Sequence, residues 1–226
     1  LYAIAFPLAA AVVLGFSGRG GGVAAAQAAP EAAPGGLPVL ELAALGVIAG
    51  SISTGSAMYT PFLFQQLGVG TATGIAIFSL ASAIMVGVAG IAYGPVRRKL
   101  SLAQLFVLGP ALCCVGLAGA ALSGRAEIAA LCLAVQGLGI GLLLPSLNVH
   151  AIQKSHQGNR GRAVGIVRGA MMIGPFVVQF ALEPFSLMGG PGLALLVLAT
   201  CSGIFALLLG VMKVGVISPL QQGAAE

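Results

Sequence analysis

Charge is what this chain lacks. Only 7% of its 226 residues are charged, and aspartate is missing altogether. Water-soluble domains carry about 25% charge, so a globule built from this chain has too little polar surface to face water. That excludes the ordinary soluble classes and leaves lipid as the main solvent, in keeping with a mean hydropathy of +1.07. Cysteine is scarce as well. Cys113, Cys114, Cys132 and Cys201 lie inside apolar runs with no ligand spacing, which makes them small buried hydrophobes and implies no metal. The net charge is +5, yet the Lys and Arg residues sit mainly in short loops. That pattern fixes membrane topology and does not point to nucleic acid. The opening run has no basic flank of a signal peptide. No loop is long enough to fold a soluble domain.

What is present is apolar, with 58% hydrophobic residues, 35 Gly and 12 Pro. Glycine and proline are frequent in membrane helices, where neighbours re-satisfy freed backbone groups. A spanning helix needs about 20 apolar residues, and runs of that kind predict one partial and six complete spans. The partial span is Leu1 to Phe16, and a chain that starts with Leu rather than Met reads as a fragment of a longer protein. Ser17 to Leu37, rich in Gly, Ala and Pro, reads as a flexible linker. The complete spans are Pro38 to about Gln66, Thr71 to Tyr93, Leu102 to Leu122, Ile128 to Val149, Val164 to Glu183 and Gly192 to Val211. The expected fold is therefore an all-α membrane protein: a six-helix bundle over 38–213 after one partial helix, with a tail over 214–226. Only Leu67 to Gly70 separates the first two complete spans, which predicts a tight antiparallel hairpin.

With spans crossing alternately, the cations fall on one side. Arg19, Arg97, Arg98, Lys99, Lys154, Arg160, Arg162 and Lys213 share it, and only Arg125, beside Glu127, lies opposite. The positive-inside rule puts the basic loops, the linker and the C-terminus in the cytoplasm.

Two stretches carry a family resemblance. Gly90-Ile-Ala-Tyr-Gly-Pro-Val-Arg-Arg-Lys99, at the cytoplasmic end of a helix hairpin, resembles the loop motif of major facilitator superfamily transporters. Gly90, Arg98 and Lys99 match it; Gly94 stands in the place of its Asp, and Arg97 in the place of its second Gly. Gly137-Leu-Gly-Ile-Gly-Leu-Leu-Leu-Pro-Ser-Leu-Asn148, then Asn159-Arg-Gly-Arg-Ala-Val-Gly165 and Gly174-Pro175, is similar to helices ten and eleven of bacterial drug- and metabolite-efflux members. The resemblance covers nearly the whole chain. It implies the second half of a twelve-helix carrier: helix six, the central loop, and helices seven to twelve. It further implies alternating access around a central cavity, a small organic substrate, protons as the coupling ion, and a first half of the same protein as partner. The site is then the bacterial inner membrane. No cofactor and no enzymatic activity are expected.

Physical arguments nominate the site residues. Gly46/Gly50, Gly90/Gly94 and Gly137/Gly141 are small-residue pairs that let helices approach closely. A phosphate loop at Gly137 to Gly141 is excluded because no Lys-Ser/Thr follows. Pro61, Pro145 and Pro175 lie inside spans and invite kinks. Ser53, Ser56 and Thr60 share one helical face, and a hydroxyl stripe in lipid needs partners, so it turns to the bundle interior or a cavity. Tyr59, Thr60, Gln65 and Gln66 are substrate-contact candidates on that helix. Arg168, Met172, Pro175 and Gln179 share a face of the span from Val164 to Glu183. Arg168 is the one base well inside a span, so it either snorkels to the interface or serves an anionic substrate in a cavity; Gln179 is a cavity candidate. Glu41 and Glu183, near opposite membrane faces, are coupling candidates because burial raises a carboxyl pKa. Asn148 and His150 are candidates for an inner gate or for capping the helix end. Arg97, Arg98 and Lys99 are placed to grip anionic lipid, and Arg160, Gly161 and Arg162 form a basic loop.

Two other classes stay open. Gly15-Phe-Ser-Gly18 matches the nucleophile pattern of rhomboid proteases, with His150 as a conceivable base. A lone six-helix half is also compatible with a membrane scaffold that transports nothing.

Overall fold

The computed structural model describes residues 39–155 and 157–212, and among these every regular element is helical. The partial span, the linker, Lys213 and the tail lie outside the described residues, as do Ser17 and its motif. In chain order the helices are α1 (Val39–Gln66), α2 (Ala72–Lys99), α3 (Leu102–Leu122), α4 (Ala126–Gln153), a 3-10 turn at Gln157–Asn159, α5 (Arg160–Met171) and α6 (Gly174–Met212). Five stretches are long and apolar enough to cross a membrane: α1, α2, α3, α4, and the run from Arg160 to Gly210. Apart from α5, which carries Arg160, Arg162 and Arg168 and buries one apolar face, the helices are largely apolar all round, as lipid requires.

Local signals set the ends. Thr71 caps α2, its hydroxyl accepting from the Gly74 N–H at 3.1 Å. Ser101 and Gln104 form a reciprocal capping box at the start of α3. The guanidinium of Arg97 donates to the Leu100 carbonyl at 3.2 Å and closes the end of α2.

Several boundaries differ from the sequence expectation. Helix α2 continues past Tyr93 to Lys99, so Arg97, Arg98 and Lys99 form its last turn and are not a loop. Cations near the C-terminal carbonyls favour that extension. Helix α4 runs on to Gln153, which puts Asn148 and His150 inside it and removes the end-capping role for both. Arg160, Gly161 and Arg162 form the first turn of α5. Pro175 does not kink a continuous span. It is the second residue of α6, a first-turn site where the missing N–H costs no helical bond. The link from α5 to α6 is made by tighter bonds, Met172 N–H to Gly169 O and Ile173 N–H to Ala170 O. Further on, α6 breaks at Gly189 and Gly190; Gly190 has φ +74° and ψ −177°, a region open essentially to glycine alone.

The helices arrange around α4, which packs against α2, α3 and α5, while α6 lies against α1 and α3. The expected α1–α2 hairpin is tight at its turn, where Phe64 and Phe78 stack with centroids 5.3 Å apart. Beyond that contact α2 lies along α4. The reason is steric. A Cβ on Gly141 would fall 2.5 Å from the Val86 carbonyl oxygen, so the α4 glycines let the α2 backbone come close. Gly46 and Gly50 do the same for α5, and Gly174 fits against Gly50 and Ser51. Gly90 and Gly94 meet nothing within 4 Å, so the third pair makes no close approach within this bundle.

Three core clusters stack along the helices. One joins Tyr59, Phe64, Leu117, Ala126, Leu182 and Leu195. A second, at the other end, joins Leu42, Phe106, Leu147, Ala151, Ala163 and Val167. Ile52, Cys113 and Ile140 lie between them in a third. Lys154, Arg160 and Arg162 adjoin the second cluster in sequence, and Arg97 to Lys99 end α2 away from Phe78. The run from Arg160 passes from the second cluster at Ala163 to the first at Leu182, breaks at Gly190, and regains the second at Leu209.

Candidate functional site

Polar side chains gather at three places. In mid-bundle, Gln136 of α4 is 2% exposed. Its amide nitrogen donates to the Ser56 hydroxyl of α1 at 2.8 Å, and its amide oxygen accepts from the Ser82 hydroxyl of α2 at 3.1 Å. Ser56 in turn donates to the Ser53 carbonyl, and Thr60 to the Ser56 carbonyl at 2.6 Å. The hydroxyl stripe thus turns inward, as its spacing implied. Two of its three hydroxyls, Ser56 and Thr60, bond their own helix backbone, and Ser56 alone of the three also ties a second helix. Ser202 of α6 adds another tie, donating to the Pro110 carbonyl of α3 at 2.9 Å.

The second place is the basic end. The His150 ring nitrogen Nε2 lies 3.0 Å from Glu41 Oε1, and Lys154 Nζ lies 3.5 Å from Glu41 Oε2. The His150 side chain is 11% exposed and that of Glu41 44%. The Phe106 ring meets the imidazole edge-on, with centroids 5.3 Å apart. Two residues nominated separately from the sequence are therefore one pair. Asn148, two residues before His150, is half-buried and makes no hydrogen bond with it.

The third place is the outside of the α5–α6 run. Arg168, Gln179 and Glu183 are all exposed, and Arg168 has neither an ion-pair nor a hydrogen-bond partner among the described residues. Tyr59 is buried, and its phenol is within reach of Ser186 and Glu183, so α1 and α6 bring together two nominated residues through a third. Gln65 and Gln66 are exposed at the end of α1, where the Gln66 side chain borders Gly190.

Gln136, Ser82, Ser202 and the role of Lys154 were not picked out in the sequence. Gln136 had a signal: a lone amide inside an apolar span needs a partner, by the same rule that drew attention to the hydroxyls. The nucleophile of the protease alternative, Ser17, lies outside the described residues, and nothing in the geometry places a serine beside His150 and Glu41 among those described. Among the described residues no group of three or more His, Cys, Asp or Glu is placed to hold a metal. No known family model matches the chain, and no curated protein matches it either.

Proposed function

We propose that this chain is a six-helix transmembrane half of a secondary carrier of the major facilitator type, moving a small organic compound by alternating access. The observation that carries the reading is the polar line Arg168, Gln179 and Glu183, exposed along one run of an otherwise apolar bundle. Hydrocarbon is a poor partner for such groups, and intramembrane ionisable side chains turn to protein or to a water-filled cavity. A second half set against this side covers the line and encloses water around it. The open Gly90 and Gly94 face of α2 supplies another surface with room for a close helix.

The break at Gly190 supports six crossings, with α5 and the first part of α6 as one and the rest of α6 as another. Six crossings put every cationic connector except that of Arg125 on one side, which the positive-inside rule makes the cytoplasm of a bacterial inner membrane. Proton coupling and outward direction rest on the resemblance to efflux members. In this reading Arg168 attracts an anionic group of the substrate, Gln179 orients it, and Tyr59 with Glu183 lines the outer part of the path.

The test is flux. Full-length protein in proteoliposomes, given an imposed pH gradient and a panel of labelled organic ions, is expected to move at least one of them. Arg168→Gln is expected to weaken that movement while leaving the helical content unchanged. Well-folded protein that moves none of the panel favours the scaffold reading and overturns this one.

A further inference from the structure

We propose that Glu41, His150 and Lys154 form a proton-sensitive latch that fastens the start of α1 to the end of α4. The two helices are distant in sequence, Glu41 and His150 lying 109 positions apart, and they touch far less than α4 touches α2 and α3. Among the described residues, two polar side-chain ties join them. Gln136 to Ser56 is neutral and lies in mid-bundle, whereas the Glu41 cluster is charged and lies at the basic end. Only the second changes strength when a proton is bound.

The surroundings fix which charges take part. From α1 comes Glu41, and from α4 come His150 and Lys154. Helix α3 contributes the Phe106 ring and no charge. Helix α5 packs Ala163 and Val167 into the adjoining core, while its Arg160 and Arg162 are exposed and form no ion pair among the described residues. The end of α6 contributes Leu209. Arg97, Arg98 and Lys99 lie at the same end on α2 and do not pair with Glu41 either.

Lys154 is a constant cation at the far oxygen of Glu41. His150 is the variable one, because histidine ordinarily gains or loses its charge between about pH 5 and pH 8. When protonated, the imidazole donates a charge-assisted hydrogen bond from Nε2 to Glu41 Oε1. When neutral, it leaves a weaker bond or, in the other tautomer, two acceptors facing each other. A charged imidazole bonds the Glu41 carboxylate 3.0 Å away more strongly than a neutral one, so the latch tightens at low pH and loosens as pH rises. The proton comes from and returns to the water at the basic end, where the Glu41 side chain is 44% exposed. This inference does not depend on the transport reading, since the latch is a property of the bundle itself.

The test measures the spacing of the two helix ends. Ketone-bearing residues at positions 40 and 153, both exposed, take spin labels without touching the four cysteines, in the full chain in lipid nanodiscs. The expected result is a narrow distance distribution at about pH 5.5 and a longer, broader one at about pH 8.5. His150→Gln and Glu41→Gln are each expected to abolish the pH response, and Lys154→Gln to keep it. Identical distributions at the two pH values overturn the proposal, and so does a response that persists in His150→Gln. Circular dichroism of each variant separates loss of the latch from loss of the fold.

Discussion

The Gln136 amide bridges the Ser56 hydroxyl on one side and the Ser82 hydroxyl on the other, so one side chain of α4 holds both α1 and α2. In hydrocarbon such a bond is not worth what its isolation suggests, because the separated helices also find partners. The bridge sets the rotation of three apolar rods about their axes more than it sets their affinity.

A double-mutant cycle between Ser56→Ala and Gln136→Met measures this directly. The coupling expected is about 0.6 kcal/mol, and below about 1.7 kcal/mol, read from unfolding equilibria in bicelles. The same cycle between Ser56 and Ser82 is expected to give less, since those two touch only through the amide. A coupling of zero for the first pair removes the bridge as a structural tie.

The three small-residue pairs behave differently when filled. Gly141→Val drives a side chain into the Val86 carbonyl and the Ala89 methyl, and is expected to cost about 1–3 kcal/mol, the usual penalty of overpacking. Gly46→Val meets the Val167 carbonyl and carries a similar penalty. Gly90→Val and Gly94→Val meet open space and are expected to leave the stability of the isolated bundle within about 0.5 kcal/mol. If the transport reading holds, the latter two still reduce flux by crowding the second half. Thermal or denaturant melts of the chain, set beside flux of the full-length protein, check both statements.

Sidedness has a simple labelling test. Lys99→Cys and Arg125→Cys sit at opposite ends of the bundle, at the end of α2 and just before α4. An impermeant maleimide added to intact cells is expected to modify Arg125→Cys at once and Lys99→Cys only after the membrane is opened. The reverse pattern inverts the topology and with it the assignment of the basic end to the cytoplasm.

The sequence was informative where the physics is one-dimensional. The apolar runs around Val39–Gln66, Leu102–Leu122 and Ala126–Gln153 were placed within a few residues because length and hydropathy along the chain decide them. Boundaries slipped where charged residues joined a helix end, as at Arg97 to Lys99 and Arg160 to Arg162. A hydropathy reading stops at the first cation, while the backbone continues to bond. The break between α5 and α6 was missed for another reason. Gly174-Pro175 marks it in the sequence and reads there as a kink within one span, whereas the chain divides at that point, where Gly174 meets Gly50 and Ser51 of a distant helix. Among candidate residues, the inward turn of Ser56 and Thr60 was legible from helical spacing. The pairing of Glu41 with His150, and of Tyr59 with Ser186 and Glu183, was not.

By itself the sequence determined that the chain is built of apolar helices long enough to cross a membrane and where along it the cations gather, because each follows from how much free energy a residue type gains or loses in hydrocarbon. Only the tertiary structure decided which faces meet. A helix that is apolar all round has no hydrophobic stripe to say which side turns inward, so its rotation is set by where glycines let backbones touch and where a buried amide or carboxylate finds its partner. Those choices brought Gln136 to Ser56 and His150 to Glu41, and left Arg168 on the outside.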